Sequence, residues 1–140
     1  MRSEADATIL AFDFGTRRIG VAIGNTLTRS ARALTTIDTR DERERFAALD
    51  RLVREWEPAR LVVGLPLHAD GSEHAMTARA RTFAATVATR YELPVLLEDE
   101  RHTSEIARDA LAGGGRAARA CRDEVAAQLI LQAYLDTHDA

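Results

Sequence analysis

A chain of 140 residues suits one domain with a core of its own and is too short for two full lobes. Its formal charge of -3 argues against a general nucleic-acid coat protein, which would carry a strong basic excess, and no window nears the roughly 18 apolar residues of a membrane span. A single cysteine, Cys121, and four histidines without metal-ligand spacing give structural zinc and redox chemistry no framework.

The opening Met1-Arg2-Ser3-Glu4-Ala5-Asp6 is polar, is expected to be flexible, and is not followed by a signal-peptide apolar core, so a cytoplasmic protein is expected. Three strand-like segments come next, about Thr8 to Gly15, Arg18 to Gly24 and Ala31 to Ile37. They are short, rich in apolar and β-branched residues and separated by Gly or polar breaks, as in an antiparallel meander. Thr39-Arg40-Asp41-Glu42 reads as a capping box for a helix in which Phe46, Leu49, Leu52, Val53 and Trp56 recur at helical spacing, ending at Pro58. Leu61 to Leu65 reads as a strand buried on both faces, and Pro66 to His74 as a loop with the turn pair Asp70-Gly71.

A second helix is predicted from about Ala75 to Tyr91, a fifth strand from Val95 to Leu97, and a third helix from about Ser104 to Ala112 with Thr103 as its N-cap. Gly113-Gly114-Gly115 stops that helix and opens a mobile Gly/Arg-rich loop, residues 113–122, before a final helix that ends near Leu135. The order predicts an α/β fold in a single domain, residues 1–140. Its mixed five-stranded sheet has three antiparallel strands first and parallel strands after, with helices on both faces.

Three acids stand where solvated charges are not expected. Asp13 interrupts the apolar first strand, Glu100 follows Val95-Leu96-Leu97, and Asp123 opens the amphipathic final helix. Asp123, Ala126, Ile130 and Ala133 share one helical face, so docking that face on the sheet carries Asp123 toward Asp13. Three converging carboxylates call for a cation or a substrate proton, and their oxygen ligands suit Mg²⁺ or Mn²⁺. Each acid also has a purely local reading. Asp13 can accept backbone N–H bonds in the Gly turn that follows it, and Asp123 can favour the positive end of a helix dipole. Strand alternation puts Glu98 beside Glu100 and Asp99 on the other side, and the residues alone leave open which of these ligates metal.

All 19 basic residues are arginine. Biased coding accounts for the missing lysine but not for the placement: Arg17 and Arg18 follow Asp13, and Arg116, Arg119 and Arg122 precede Asp123. Guanidinium forks hold phosphate in bidentate fashion, so these arginines are candidates for contact with a polyanion. Arg101 either joins them or pairs with Asp99, and His102 either approaches a reacting water or is a surface residue.

Four blocks, Phe12-Asp13-Phe14-Gly15-Thr16-Arg17-Arg18-Ile19-Gly20-Val21-Ala22, Val63-Gly64-Leu65-Pro66 with Asp70-Gly71-Ser72, Asp99-Glu100-Arg101-His102-Thr103, and Asp123-Glu124-Val125-Ala126-Ala127 through Leu135, occur in the order seen in the YqgF (RuvX-like) family, which the chain resembles over nearly its whole length. The resemblance implies an RNase H-like fold related to the RuvC Holliday junction resolvases. It also implies a nuclease that trims the 5′ end of the 16S ribosomal RNA precursor, with a role on branched DNA. By motif position Asp13, Glu100 and Asp123 fall on the family's catalytic acids. Gly24-Asn25 stands where the family often has Ser-Asp, and arginine replaces lysines of the first motif and the mobile loop.

The expectation is therefore a divalent-metal-dependent nuclease, with Asp13 bridging two metal ions and Glu100 and Asp123 each holding one side. Its partners would be structured RNA, branched DNA, ribosomal precursor particles and a second copy of the chain, since a symmetric junction calls for a two-fold dimer. Aromatic residues are 5% of the chain, which favours recognition by backbone and shape over base stacking. Two other readings stand beside it: a noncatalytic RNA-binding or assembly module, and an actin-like or sugar-kinase-type ATP-binding lobe, for which Asp13-Phe14-Gly15-Thr16 resembles the first phosphate turn.

Overall fold

The computed structural model describes residues 7–100 and 116–137, with side chains from Asp123 onward in the second stretch. Five strands, β1 (Thr8–Phe14), β2 (Arg18–Asn25), β3 (Ser30–Asp38), β4 (Arg60–Leu65) and β5 (Val95–Asp99), form one sheet in the order β3-β2-β1-β4-β5. The short Gly15–Arg17 connection leaves no room for a crossover, so β1 and β2 pair antiparallel, with Asp13 opposite Gly20. β4 and β5 each return through a helix and lie parallel, with Phe12 beside Val63 and Leu65 beside Asp99. This is the mixed sheet expected from the order of the elements.

Helix α1 (Glu42–Trp56) is capped by Asp41, whose carboxylate accepts the Glu44 N–H at 3.2 Å. Thr39, the cap expected from the sequence, sits two residues outside: it accepts the Asp41 N–H and donates to the Glu44 carboxylate. Glu57 closes the helix in the left-handed region, and Pro58 cannot continue it. Helix α2 (Ala75–Tyr91) starts at a reciprocal cap in which His74 accepts the Met76 N–H and Thr77 accepts the His74 N–H. The buried Thr77 hydroxyl donates onward to the Pro66 carbonyl, tying the start of α2 to the loop after β4.

Helix α3 (Arg116–Thr137) begins earlier than expected. Residues 116–122 are helical rather than loop, because Arg and Ala are strong helix formers and only the preceding glycines break the pattern. Residues 1–6, the predicted helix Ser104–Ala112, Arg101 and His102 lie outside the described residues. Among the described residues no helix is long and apolar enough to cross a membrane.

Strand parity divides the core. Leu10, Phe12, Val21 and Val63 face α1 and α2 and pack with Leu49, Phe83 and Val87. Ile9, Ala11, Ala22 and Val62 face α3 and pack with Ala127, Ile130, Leu131 and Tyr134. Of the α3 face predicted from helical spacing, Ala126 and Ile130 are buried but Ala133 is only partly so, because the docked stripe is turned by about one residue. Two polar residues of α3 also cover the free edge of β3, where Gln132 accepts the Ala31 N–H at 3.0 Å and Gln128 donates to the Ala31 carbonyl at 3.1 Å.

The seating of α3 depends on Gly20. A Cβ built there would lie 1.8 Å from the Asp123 carbonyl oxygen, so the helix backbone rests on the bare backbone of β2. Gly→Ala in an unobstructed, compatible site gains about 0.4–1 kcal/mol through the unfolded chain. Here the sign should reverse: Gly20→Ala is expected to destabilise the protein by about 1–3 kcal/mol or more, measured as a lower urea midpoint at unchanged m-value.

Candidate metal and nucleic-acid site

Asp13 lies on β1 with the parity of Ile9 and Ala11, so it points to the α3 side of the sheet at the C-terminal end of the strand. Glu100 follows β5, and its N–H bonds the Leu65 carbonyl at 3.1 Å, extending the parallel ladder one residue beyond the strand. Its side chain turns inward and is only 6% exposed. Gly64 makes that possible, since a Cβ there would stand 2.8 Å from the Glu100 carboxyl carbon and 2.5 Å from Ile130. Asp123 arrives on α3 with its backbone over Gly20, the residue paired with Asp13. Three separate elements therefore deliver the three acids to one end of the sheet.

Burial dominates the electrostatics. Desolvation raises the Asp13 carboxyl to about 6, a hydrogen bond from Glu100 opposes that rise, and the charge of Asp123 adds to it. Glu100 is raised further, first by burial, then by the charge of Asp13 and the hydrogen bond to it, with Asp99 contributing least. Both shifts describe one state, in which Glu100 keeps its proton and donates it to Asp13.

Asp123 is engaged differently. Its carboxylate takes a 2.9 Å hydrogen bond from the Arg18 Nε, with side chains 25% and 35% exposed. Arg17 instead approaches Asp38 at 3.8 Å, both well exposed, a pairing of little energetic weight. Asp123 stands within α3, not at its opening as the sequence suggested, which removes the helix-end reading of this acid. Asp99 has the opposite parity from Glu100 and lies on the α1–α2 side, whereas Glu98 shares the side of Glu100.

The donor set fits a divalent cation at Asp13 and Glu100: two desolvated carboxyls now held together by a proton occupy a place where an oxygen-loving cation would serve the same purpose. Among the described residues no group of three or more His, Cys, Asp or Glu side chains is gathered around one metal position. Asp123 is adjacent, but its carboxylate is turned to Arg18.

One participant was missed in the sequence. Arg45 on α1 is buried, and its guanidinium donates to the carbonyl of Gly15 in the turn after Asp13. The signal was its phase, since Arg45, Leu49, Leu52 and Trp56 fall on the helix's apolar stripe.

Comparison with known proteins places these features in a family. The family model described as RuvX, Holliday junction resolvase, matches residues 7–137. A protein of Burkholderia mallei (strain SAVP1) named as a candidate pre-16S rRNA nuclease is 52% identical over 131 residues, 94% of this chain and 89% of its own length. A protein of the same name from Nitrosomonas europaea is 48% identical over 143 residues, covering 100% of this chain and 97% of its own. Among solved structures, Thermus thermophilus RuvC with a Holliday junction substrate superposes with a TM-score of 0.58 at 15% identity, covering 91% of this chain and 92% of that one. The fowlpox virus resolvase with Holliday junction DNA gives 0.58 at 6% identity, over 94% and 98% of the two chains. These two likenesses bear out the RNase H-like α/β fold expected from the sequence.

The raised carboxyls predict how the metal-free protein responds to pH. The folded state holds protons that the unfolded chain releases, so stability is greatest below the ordinary carboxylate range of about pH 4 and is lost as pH rises through about 6 for Asp13 and about 9 for Glu100. Denaturant midpoints in EDTA should therefore fall across that window. Glu100→Gln, which keeps a donor toward Asp13 but cannot ionise, should flatten the fall and be the more stable protein at its upper end.

Proposed function

The chain belongs to the RuvX Holliday junction resolvase family, and from that premise we propose that it is a divalent-metal-dependent nuclease whose foremost substrate is the 5′ region of the 16S ribosomal RNA precursor. The observation that carries this reading is the pairing of the half-buried Asp13 with the buried Glu100 at the end of the sheet, both desolvated, an arrangement costly to any fold that does not use it. The ribosomal substrate follows the names of the relatives at about half identity. Branched DNA is the second substrate, on the strength of the family description.

In this reading Asp13 and Glu100 would hold the cation, which would take the place of the proton they share. A bound Mg²⁺ or Mn²⁺ would polarise the phosphoryl oxygens and lower the pKa of an attacking water. Arg18 is the hinge between the acids and the substrate: its guanidinium now neutralises Asp123, and an incoming phosphate competes for the same fork. Asp123, released by that exchange, becomes available as the third acid. Arg17, exposed on the connection between β1 and β2, and Arg101 supply further positive charge to the backbone of the nucleic acid. Arg116, Arg119 and Arg122, spaced by three in the first turns of α3, extend that charge along the helix leading into Asp123. Such contacts position a phosphate backbone and read no bases, which suits a substrate recognised by shape.

The deciding assay is cleavage of labelled ribosomal precursor RNA, single-stranded nucleic acids and a four-way junction with Mg²⁺ and with Mn²⁺. Asp13→Asn and Glu100→Gln should each reduce cleavage by more than about 100-fold with the fold intact, since even partners one shell removed from a metal cost 10–100-fold. Full metal-dependent activity in Asp13→Asn would sink the assignment, and metal-dependent binding without cleavage by the unaltered protein would favour an assembly role. Replacing Arg116, Arg119 and Arg122 together with Ala should weaken binding and lower the slope of log K against log salt by about 0.7–0.9 for each phosphate that is no longer neutralised. A slope equal to that of the unaltered protein would remove these arginines from the interface.

A further inference from the structure

On the opposite face of the sheet from the acids, α1 and α2 splay apart and leave a cleft of about 520 Å³, the size that encloses one small ligand. Its floor is apolar, built by Ile19, Leu49 and Phe83, with the half-buried Phe14 and Phe46 offering ring surface. Arg45 stands in its wall.

The environment of Arg45 is unusual for a cation. Only 7% of it is exposed, one nitrogen is used on the Gly15 carbonyl, and its guanidinium lies 5.3 Å from the centre of the Phe14 ring. Its Nε is buried and has no hydrogen-bond partner among the described residues. Glu42, one turn back on α1, acts on it through space without forming an ion pair. A buried guanidinium without a counter-charge is a standing cost, and an anion in the cleft beside Arg45 would offset it by its charge.

Two more arginines line the same cleft from opposite sides, Arg40 ahead of α1 and Arg79 on α2. Both are exposed, and neither bonds or pairs with a described residue. Three guanidinia against the single carboxylate of Glu42 make the cleft positive. The hydroxyls of Thr82 and Thr86, also in its lining, are donated to helix carbonyls at 3.0 and 2.9 Å, so the donors left for an anion are the arginines and the hydroxyl of Thr16. A bare inorganic anion would make no use of the apolar floor, and an extended peptide or strand would outrun a cleft of this volume.

We propose that this cleft binds a nucleoside phosphate, with the phosphate held by Arg45, Arg40 and Arg79 and the base against Phe14 and Phe46. The proposal does not rest on the nuclease reading. The ligand is either a free mononucleotide or the phosphorylated end of a nucleic acid, and the chemistry of recognition is the same. Because Arg45 also holds the carbonyl of Gly15, an occupied cleft is mechanically linked to the turn that follows Asp13.

Calorimetric titration of the full chain in EDTA, which keeps metal chemistry out of the measurement, tests it with AMP, UMP, inorganic phosphate and unphosphorylated adenosine. The nucleotides should bind more tightly than either half alone. Arg40→Gln and Arg79→Gln, both at exposed positions, should each weaken binding by about ten-fold, and Thr82→Trp, which fills the cleft from the surface of α2, should abolish it. Asp13→Asn should bind like the unaltered protein. Competition by a 5′-phosphorylated oligonucleotide, but not by its 5′-hydroxyl counterpart, would identify the ligand as a strand end; competition by neither would identify a free nucleotide. Failure of either nucleotide to bind, affinity for inorganic phosphate equal to that for AMP, or affinity indifferent to Thr82→Trp and to both arginine variants would overturn the proposal.

Discussion

The structure depends on how closely α3 approaches the sheet. An α-helix resting on strand side chains stands off by their length, but at Gly20 the helix carbonyl of Asp123 occupies the space of a missing Cβ. The contact lowers the first described turns of the helix onto β2 at the residue paired with Asp13. Gly64 performs the corresponding service one strand over, leaving room for Glu100 to turn inward beneath Ile130. Two absent side chains therefore do as much to assemble the acids as the acids themselves. The rest of the buried core on that face, from Ile9 and Ala11 to Leu131, is apolar packing that holds the approach in place.

Bringing carboxyls together under a helix works against stability. Burial and mutual repulsion push both Asp13 and Glu100 toward their protonated forms, and the pair survives by sharing a proton. Asp123 avoids the same strain through Arg18. The opposite face has no comparable tension around its aromatic packing, where Phe83 meets Phe14 in a stack and Phe12 edge-on. Arg45 alone departs from that pattern, a cation in a wall of rings.

Much of the fold could be read from the chain because period and punctuation agreed. β1 to β5 are apolar runs closed by Gly, Pro or polar turns, and their boundaries moved by no more than a residue or two. α2 was legible to both its ends, although its cap is a histidine. The start of α3 was misread because three glycines followed by arginines resemble a flexible tether, whereas Arg and Ala propagate a helix once one begins. Asp13 could be singled out because a charge in a buried strand violates the pattern around it. That Glu100 and not Asp99 turns to the Asp13 side of the sheet needed the register of β5 and the ladder bond to Leu65, neither of which a five-residue strand announces in its composition. Arg45 escaped notice because an arginine on a helix is ordinary until the partner of its apolar stripe is known.

The hydrogen bond between Arg18 and Asp123 joins residues 105 positions apart. Most of the sheet can pair before α3 exists, yet until the last 20 or so residues emerge, Ile9, Ala11, Ala22 and Val62 have no cover. A chain still being synthesised thus has a sheet with one bare side and an incomplete set of acids at its end. The site therefore comes into being in the same closing event that finishes the core: the docking of α3 covers this face of the sheet and brings Asp123 beside Asp13.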